Sequence, residues 1–176
     1  MKPQIITNAT TLDDLKQANG QAKWQLCRNF SFDGIVVGDR DFCNEKWANF
    51  THIIHIWRTD YPQNSCQFRS NGVSLRLEYK DGEELTETTM QEIEVFIELF
   101  RKNTDPKQLL IHCAAGITRS PTIALLAASL LHRKHPSVFI GNILRELRSC
   151  RGLTPNICHK PLECICQFVE VRGIFS

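Results

Sequence analysis

The sequence predicts a single α/β domain built on a central, mainly parallel sheet covered by helices on both faces. Three observations predict it. Short, β-branched apolar runs closed by turn residues alternate along the chain with longer segments of helical periodicity, the pattern of strands separated by crossover helices. The 176 residues are 42% hydrophobic and 23% charged, near the average for globular chains. A chain of this length suits one core, which can take roughly 70% of the unfolded surface out of water, and it has no room for a second domain.

Residues 33–37 (DGIVV), ending at Gly38-Asp39, and 52–57 (HIIHIW), ending in the turn residues Arg58 to Pro62, read as buried strands. Between them, 41–50 (DFCNEKWANF) carries apolar residues at 42, 47 and 50 with an available Asp cap, and reads as a short helix. Segment 73–79 (VSLRLEY) alternates apolar with polar residues, as a half-buried strand does. The loop KDGEELTETT then enters a helix over about 86–102, where Met90, Ile93, Ile97 and Phe100 recur at helical spacing after a Thr-x-x-Glu/Gln start; Asp105-Pro106 stops it. Residues 108–112 (QLLIH) form another apolar strand. After a loop of small residues, 120–132 (SPTIALLAASLLH) is a strongly apolar, buried helix with Pro at an early position. Helical patterns follow over 137–150, with Val138, Ile140, Ile143, Leu144 and Leu147 inward, and over roughly 160–170. Residues 1–29 are expected to form an N-terminal extension packing on a domain of 30–176.

Several function classes fall away on composition. With 21 Lys and Arg against 19 Asp and Glu, the formal charge of +2 is too small to indicate a binder of nucleic-acid phosphates. Trp24, Trp47 and Trp57 are scattered and make no stacking ladder, so core packing is the reading for each. The charge is polarised, eight acids and one base from Glu78 to Glu98 against five bases and one acid from His132 to Arg151, which reads as two solvated helix faces. No apolar run approaches the roughly 18 residues of a membrane span, and MKPQIITNATTLDD lacks the basic-then-apolar pattern of an export signal. A cytoplasmic protein without a membrane span is expected. The 8 cysteines are scattered rather than framed, which favours reduced thiols, and the group Cys158, His159, Cys164, Cys166 lacks paired CxxC spacing, so no metal and no cofactor are expected.

The chemistry lies in Ile111-His112-Cys113-Ala114-Ala115-Gly116-Ile117-Thr118-Arg119-Ser120-Pro121, a strand end, a tight turn and a helix start. Such a loop aims the backbone N–H groups of Ala114, Ala115, Gly116, Ile117 and Thr118 at one point, where the helix dipole adds positive charge. Small residues let the backbone close around a tetrahedral oxyanion, and the Arg119 guanidinium can hold two of its oxygens at once. Cys113 opens the loop. Thiols beside cations or helix N-termini have pKa values of about 3.5–7.5 instead of about 8.5, so a thiolate nucleophile facing a bound phosphorus is expected. The bland alternative is a buried helix-starting cysteine beside a salt-bridged arginine.

His112-Cys113, five residues, then Arg119-Ser120 resembles the signature loop of the cysteine-based protein phosphatases, and HCAAGITRSPT is closest to their dual-specificity branch. The resemblance covers about residues 30–170 in element order. It implies that Asp81, on a loop upstream of Cys113, protonates the leaving oxygen. Chemistry asks for such an acid, since an alkoxide or phenolate must depart. The neighbouring Glu83 and Glu84 would help keep it protonated, and are the next candidates if Asp81 is only a turn residue in Asp-Gly. The resemblance also implies that Ser120 hydrogen-bonds the thiolate and helps it leave, alongside a capping role, and that His112 braces the loop from behind. Asn156 resembles the Pro-Asn segment that supports the loop, although the Gly-Phe expected after it is replaced by Cys158-His159. The uncharged residues 114–118 favour a single phosphate on a protein, phosphotyrosine first and phosphoserine or phosphothreonine second, over a phosphoinositide or an RNA 5′-phosphate. A phosphate-binding module with little turnover is the alternative of a different class.

Overall fold

A computed structural model of the chain describes residues 29–57, 72–80, 82–103, 106–113, 119–151 and 159–173. The proposed N-terminal extension with Trp24, the turn after residue 57 and the stop at Asp105 lie outside the described residues. Strand β1 (Asn29–Phe32) turns back through Asp33 and Gly34, both with positive φ (48° and 83°), into strand β2 (Ile35–Gly38). The sequence predicts one strand over 33–37, and the structure differs at its start. Asp-Gly is instead the two-residue turn of a hairpin, the conformation that glycine adopts without strain, and the strand begins at Ile35.

Helix α1 (Arg40–Lys46) is capped by Asp39, whose Oδ1 accepts from the Phe42 N–H at 2.7 Å. It gives way to a 3-10 turn at Trp47–Asn49 and then to β3 (His52–Trp57). Strand β4 (Val73–Glu78) precedes α2 (Glu87–Lys102), which starts as anticipated but with Thr89 rather than an acid as the cap's partner: the Thr86 hydroxyl oxygen accepts from the Thr89 N–H at 3.1 Å. Strand β5 (Leu109–His112), α3 (Arg119–His132), α4 (Ser137–Arg151) and α5 (His159–Arg172) complete the order.

The five strands lie in the order β1-β2-β5-β3-β4. The β1–β2 pair is antiparallel and the rest are parallel, so the expectation of a mainly parallel α/β sheet is met. The faces are unequal. Helices α2, α3, α4 and α5 bury the main core on one side, while α1 and the 3-10 turn cover the other with a small cluster of Cys43, Phe50, Ile53 and Leu110. Trp47 packs against that small cluster.

Helix α3 is buried from Arg119 to Leu130, with no solvent face, because it runs through the middle of the helical layer. This is the all-round apolar helix that its sequence announced. Helix α4 turns Ile143 and Leu147 inward as predicted, with Ile140 and Leu144 half-buried, and departs from the prediction at its first turn. Phe139, Ile143 and Leu147 point inward and Val138 is 53% exposed, since the ring of Phe139 packs edge-on against Phe32 at 6.0 Å and takes the place assigned to the smaller valine.

Candidate active site

The site forms where β5, in the middle of the sheet, runs out. Its flanking strands are β2 and β3, and the carboxyl end of a central strand at such a junction is where open α/β sheets place ligands. Cys113 leaves the strand there, buried, and α3 opens at Arg119. Cys113 Sγ lies 3.2 Å from Ser120 Oγ. The Gly38 carbonyl, at the end of β2, accepts from the Cys113 N–H at 3.4 Å and from the Ser120 hydroxyl at 3.5 Å. One backbone oxygen therefore ties the strand end to the start of the helix. Gly38 itself is required by a close approach: a Cβ there would stand 2.9 Å from Cδ1 of Phe42 on α1.

The Ser120 hydroxyl has one proton and two possible acceptors. Against a thiol it donates to Gly38 and accepts from sulfur; against a thiolate its proton belongs on sulfur, the stronger acceptor. The hydroxyl can thus follow the charge on Cys113 without moving a heavy atom. Arg119 is buried beside it at the first position of α3, and its charge is felt by His112.

His112 faces away from the helical layer. Register pairs it with His55 on β3, the two rings meet edge to face with centroids 4.8 Å apart, and His55 Nδ1 lies 2.6 Å from His112 Nε2. Both rings are held neutral. Burial pushes His55 down to about 4, helped by Arg76, and pushes His112 down to about 3, helped by His55 and Arg119 and opposed by the Cys113 backbone. Cys43 of α1 completes a buried group in which Cys43, His55 and His112 each offer a ligating atom within 4.8 Å of the others. Neither Cys43 nor His55 was singled out in the sequence. The signal is present, because His55 lies within one apolar strand and His112 ends another, but their adjacency depends on strand order.

Of the residues named from sequence, Cys113, Ser120 and Arg119 are brought to one strand-to-helix junction, with His112 behind them. Ala114 to Thr118, Asp81 and Asn156 lie outside the described residues. Among its described neighbours, the Glu83 N–H donates to the Lys80 carbonyl at 3.3 Å, the buried Tyr79 hydroxyl donates to the Glu83 carbonyl at 3.0 Å, and Gly82 has a φ of 77°. Glu83 and Glu84 are exposed. Cys158 also lies outside the described residues. Cys164 and Cys166, two positions apart on α5, point in different directions, and burial raises the Cys166 thiol, so the structure does not assemble them into one ligand set.

The protein-tyrosine phosphatase family matches the chain over residues 77–158, from the end of β4 through α4 and beyond. No curated protein matches it in sequence. Among solved structures, the human tyrosine phosphatase-like serine/threonine/tyrosine-interacting protein is similar at a TM-score of 0.59 and 16% identity, covering 82% of this chain and 96% of that one. DUSP15 is similar at 0.52 and 23% identity, covering 82% and 86%. PTPMT1 in complex with PI(5)P is similar at 0.53 and 18% identity, covering 79% and 92%. Fold and matched segment together define a phosphatase fold of the cysteine-dependent class. Residues 77–158 resemble the protein-tyrosine phosphatase family, and the fold is the one seen in DUSP15 and the tyrosine phosphatase-like interacting protein. Among the described residues, no helix is long and apolar enough to cross a membrane.

Proposed function

We propose that the protein is a protein-tyrosine or dual-specificity phosphatase that hydrolyses phosphomonoesters of proteins through a phosphocysteine intermediate, in the cytoplasm and without a metal or organic cofactor. The observation that carries the proposal is the buried Cys113 at the end of the central strand, 3.2 Å from the Ser120 hydroxyl at the opening of α3. In this reading the backbone of Ala114, Ala115, Gly116, Ile117 and Thr118, with Arg119, holds the phosphate oxygens and sets the phosphorus in line with sulfur. The Cys113 thiolate attacks phosphorus, the S–P bond forms as the P–O ester bond breaks, and the departing oxygen takes the proton of Asp81. Water then attacks the phosphocysteine and gives its proton to Asp81. The S–P bond breaks, and the returning thiolate is met by the Ser120 hydroxyl. His112 braces the strand end, and Asn156 supports the loop.

The uncharged loop residues favour one phosphate on a protein side chain. The similarity to PTPMT1, whose structure holds PI(5)P, makes a phosphoinositide the comparison substrate. The test is turnover of a generic aryl phosphate, a phosphotyrosine peptide, a phosphoserine peptide and a soluble PI(5)P analogue by wild type, Cys113→Ser and Asp81→Asn. Wild type should prefer the phosphotyrosine peptide. Cys113→Ser should lose turnover while still binding vanadate-like anions, and Asp81→Asn should be impaired most on the phosphoserine ester, whose alkoxide needs its proton. Turnover by Cys113→Ser overturns the mechanism, preference for the PI(5)P analogue overturns the substrate class, and phosphopeptide binding with no wild-type turnover makes the protein a binding module.

A further inference from the structure

The buried group under the catalytic strand asks for an explanation, because a row of paired residues runs through it. Register aligns Gly38 of β2 with His112 of β5, His112 with His55 of β3, and His55 with Arg76 of β4. Two imidazoles meet in the middle of that row, both fully enclosed.

Two kinds of occupant fit Cys43, His55 and His112: a metal ion or a shared proton. Three features favour the proton. The two ring nitrogens are 2.6 Å apart, whereas two nitrogens bound to one zinc at about 2.0–2.1 Å in tetrahedral geometry stand about 3.3 Å apart. Among the described residues, the full charges that act on the pair, Arg76 on His55 and Arg119 on His112, are both cations and oppose a buried dication. A short N···N contact between neutral rings is what one proton between a donor and an acceptor produces.

We infer that His55 is a positioning residue whose Nδ1–H donates to His112 Nε2 and thereby keeps the proton of His112 on Nδ1, toward the backbone of Cys113. The opposite arrangement would put a proton on His112 Nε2 and leave Nδ1 bare. The Cys113 backbone acts on the His112 ring in the sense of an acceptor, favouring a ring that carries protons, and a bare Nδ1 facing an acceptor would be repulsive. His112 Nδ1 is buried and, among the described residues, no side chain competes for its proton, which leaves it to the Cys113 backbone. A fixed tautomer fixes the ring, and the ring belongs to the residue directly before the nucleophile. His55 thus acts through His112 on Cys113 without touching substrate.

The kinetic part of the test rests on the phosphatase reading, and the spectroscopic part does not. Long-range ¹H–¹⁵N correlation of imidazole-labelled protein reads the tautomer directly. Wild type should show His112 protonated at Nδ1. His55→Asn, whose side-chain amide can donate from the place of Nδ1, should keep that tautomer, and His55→Leu should lose it. On an aryl phosphate, His55→Leu should lower kcat about tenfold with little change in KM, the scale of removing a group that orients a reacting one, and His55→Asn should recover most of that loss. Any of three results overturns the inference: wild-type His112 protonated at Nε2, equal losses in the Asn and Leu variants, or stoichiometric zinc binding abolished by both Cys43→Ser and His55→Asn. If the wild type turns over no phosphate ester, the phosphatase reading fails while the tautomer measurement still decides the role of His55.

Discussion

Replacing Ser120 with alanine removes the group that responds to charge on Cys113. Its Oγ is 3.2 Å from sulfur and 3.5 Å from the Gly38 carbonyl, and Ser120 is fully buried, so no water takes its place without a cavity that alanine barely creates. A hydrogen bond to a charged group is worth about 1.5–3 kcal/mol, and each 1.36 kcal/mol is tenfold in rate, giving a loss of about 10- to 150-fold. The two chemical steps of the proposed mechanism feel this differently. In the first the thiolate is consumed, so a hydrogen bond to it protects the reactant more than the transition state. In the second the thiolate is regenerated, and the bond strengthens as charge returns to sulfur. Ser120→Ala should therefore slow hydrolysis of the phosphocysteine while leaving its formation nearly intact. Stopped-flow release of the phenol from an aryl phosphate should show a burst of one equivalent per site followed by a slow steady state, and acid quenching should trap the phosphoenzyme. A fall in kcat with no burst and no trapped intermediate would refute the role given to the hydroxyl, as would an unchanged kcat.

Three further outcomes follow from the packing. His55 and His112, at about 4 and about 3 in the folded protein against 6.5 ordinarily, are protonated in the unfolded chain first, so their contribution to stability is full above pH 6.5 and declines as pH falls toward 4. The limiting slope is about 1.4 kcal/mol per pH unit for each ring. Urea midpoints between pH 7 and 4.5 should fall less steeply for His55→Asn than for wild type, and equal slopes would contradict the burial of neutral rings. Gly72→Ala places a Cβ 2.4 Å from the Thr51 carbonyl oxygen, which also accepts the Val73 N–H at 3.0 Å at the start of the β3–β4 pairing; a loss of about 1–3 kcal/mol in urea unfolding is expected. Leu125→Ala, fully buried in the middle of α3, should cost about 2–5 kcal/mol by the same measurement, and a value near zero would mean that the helix does not pass through the core.

Much of this architecture was legible because periodicity and turn chemistry are local. The four apolar runs at β2, β3, β4 and β5 and the four long helices stand where alternation and helical spacing put them, and Cys113, Arg119 and Ser120 meet at the strand-to-helix junction that their order in the sequence predicts. What escaped depended on partners. Strand β1 is only Asn29–Phe32, and reading Asp33-Gly34 as strand instead of turn concealed both it and the hairpin. The first turn of α4 hinges on whether Val138 or Phe139 finds a slot, which the ring of Phe32 decides. The pairing of His55 with His112 could not be read from either strand, since it follows from β5 lying beside β3 with those two residues in register.

The strand order carries a consequence for how the chain assembles. Strands β2 and β3 are not neighbours; the early part of the chain supplies one antiparallel ribbon, β1–β2, and one parallel pair, β3–β4, with nothing between them. Two-stranded pieces are marginal in water. They become one sheet only when Leu109–His112 slides between them, pairing Leu109 with both Ile35 and His52 across long stretches of intervening chain. Loop closure on that scale precedes its reward, so insertion of this strand is the slow, late event of folding. The inserted strand is also the one that delivers Cys113. The Cys113 N–H meets the Gly38 carbonyl, and the sulfur meets Ser120 at the start of α3, only once that strand closes the sheet, so a nascent chain that stops short of β5 has neither a complete sheet nor the proposed site.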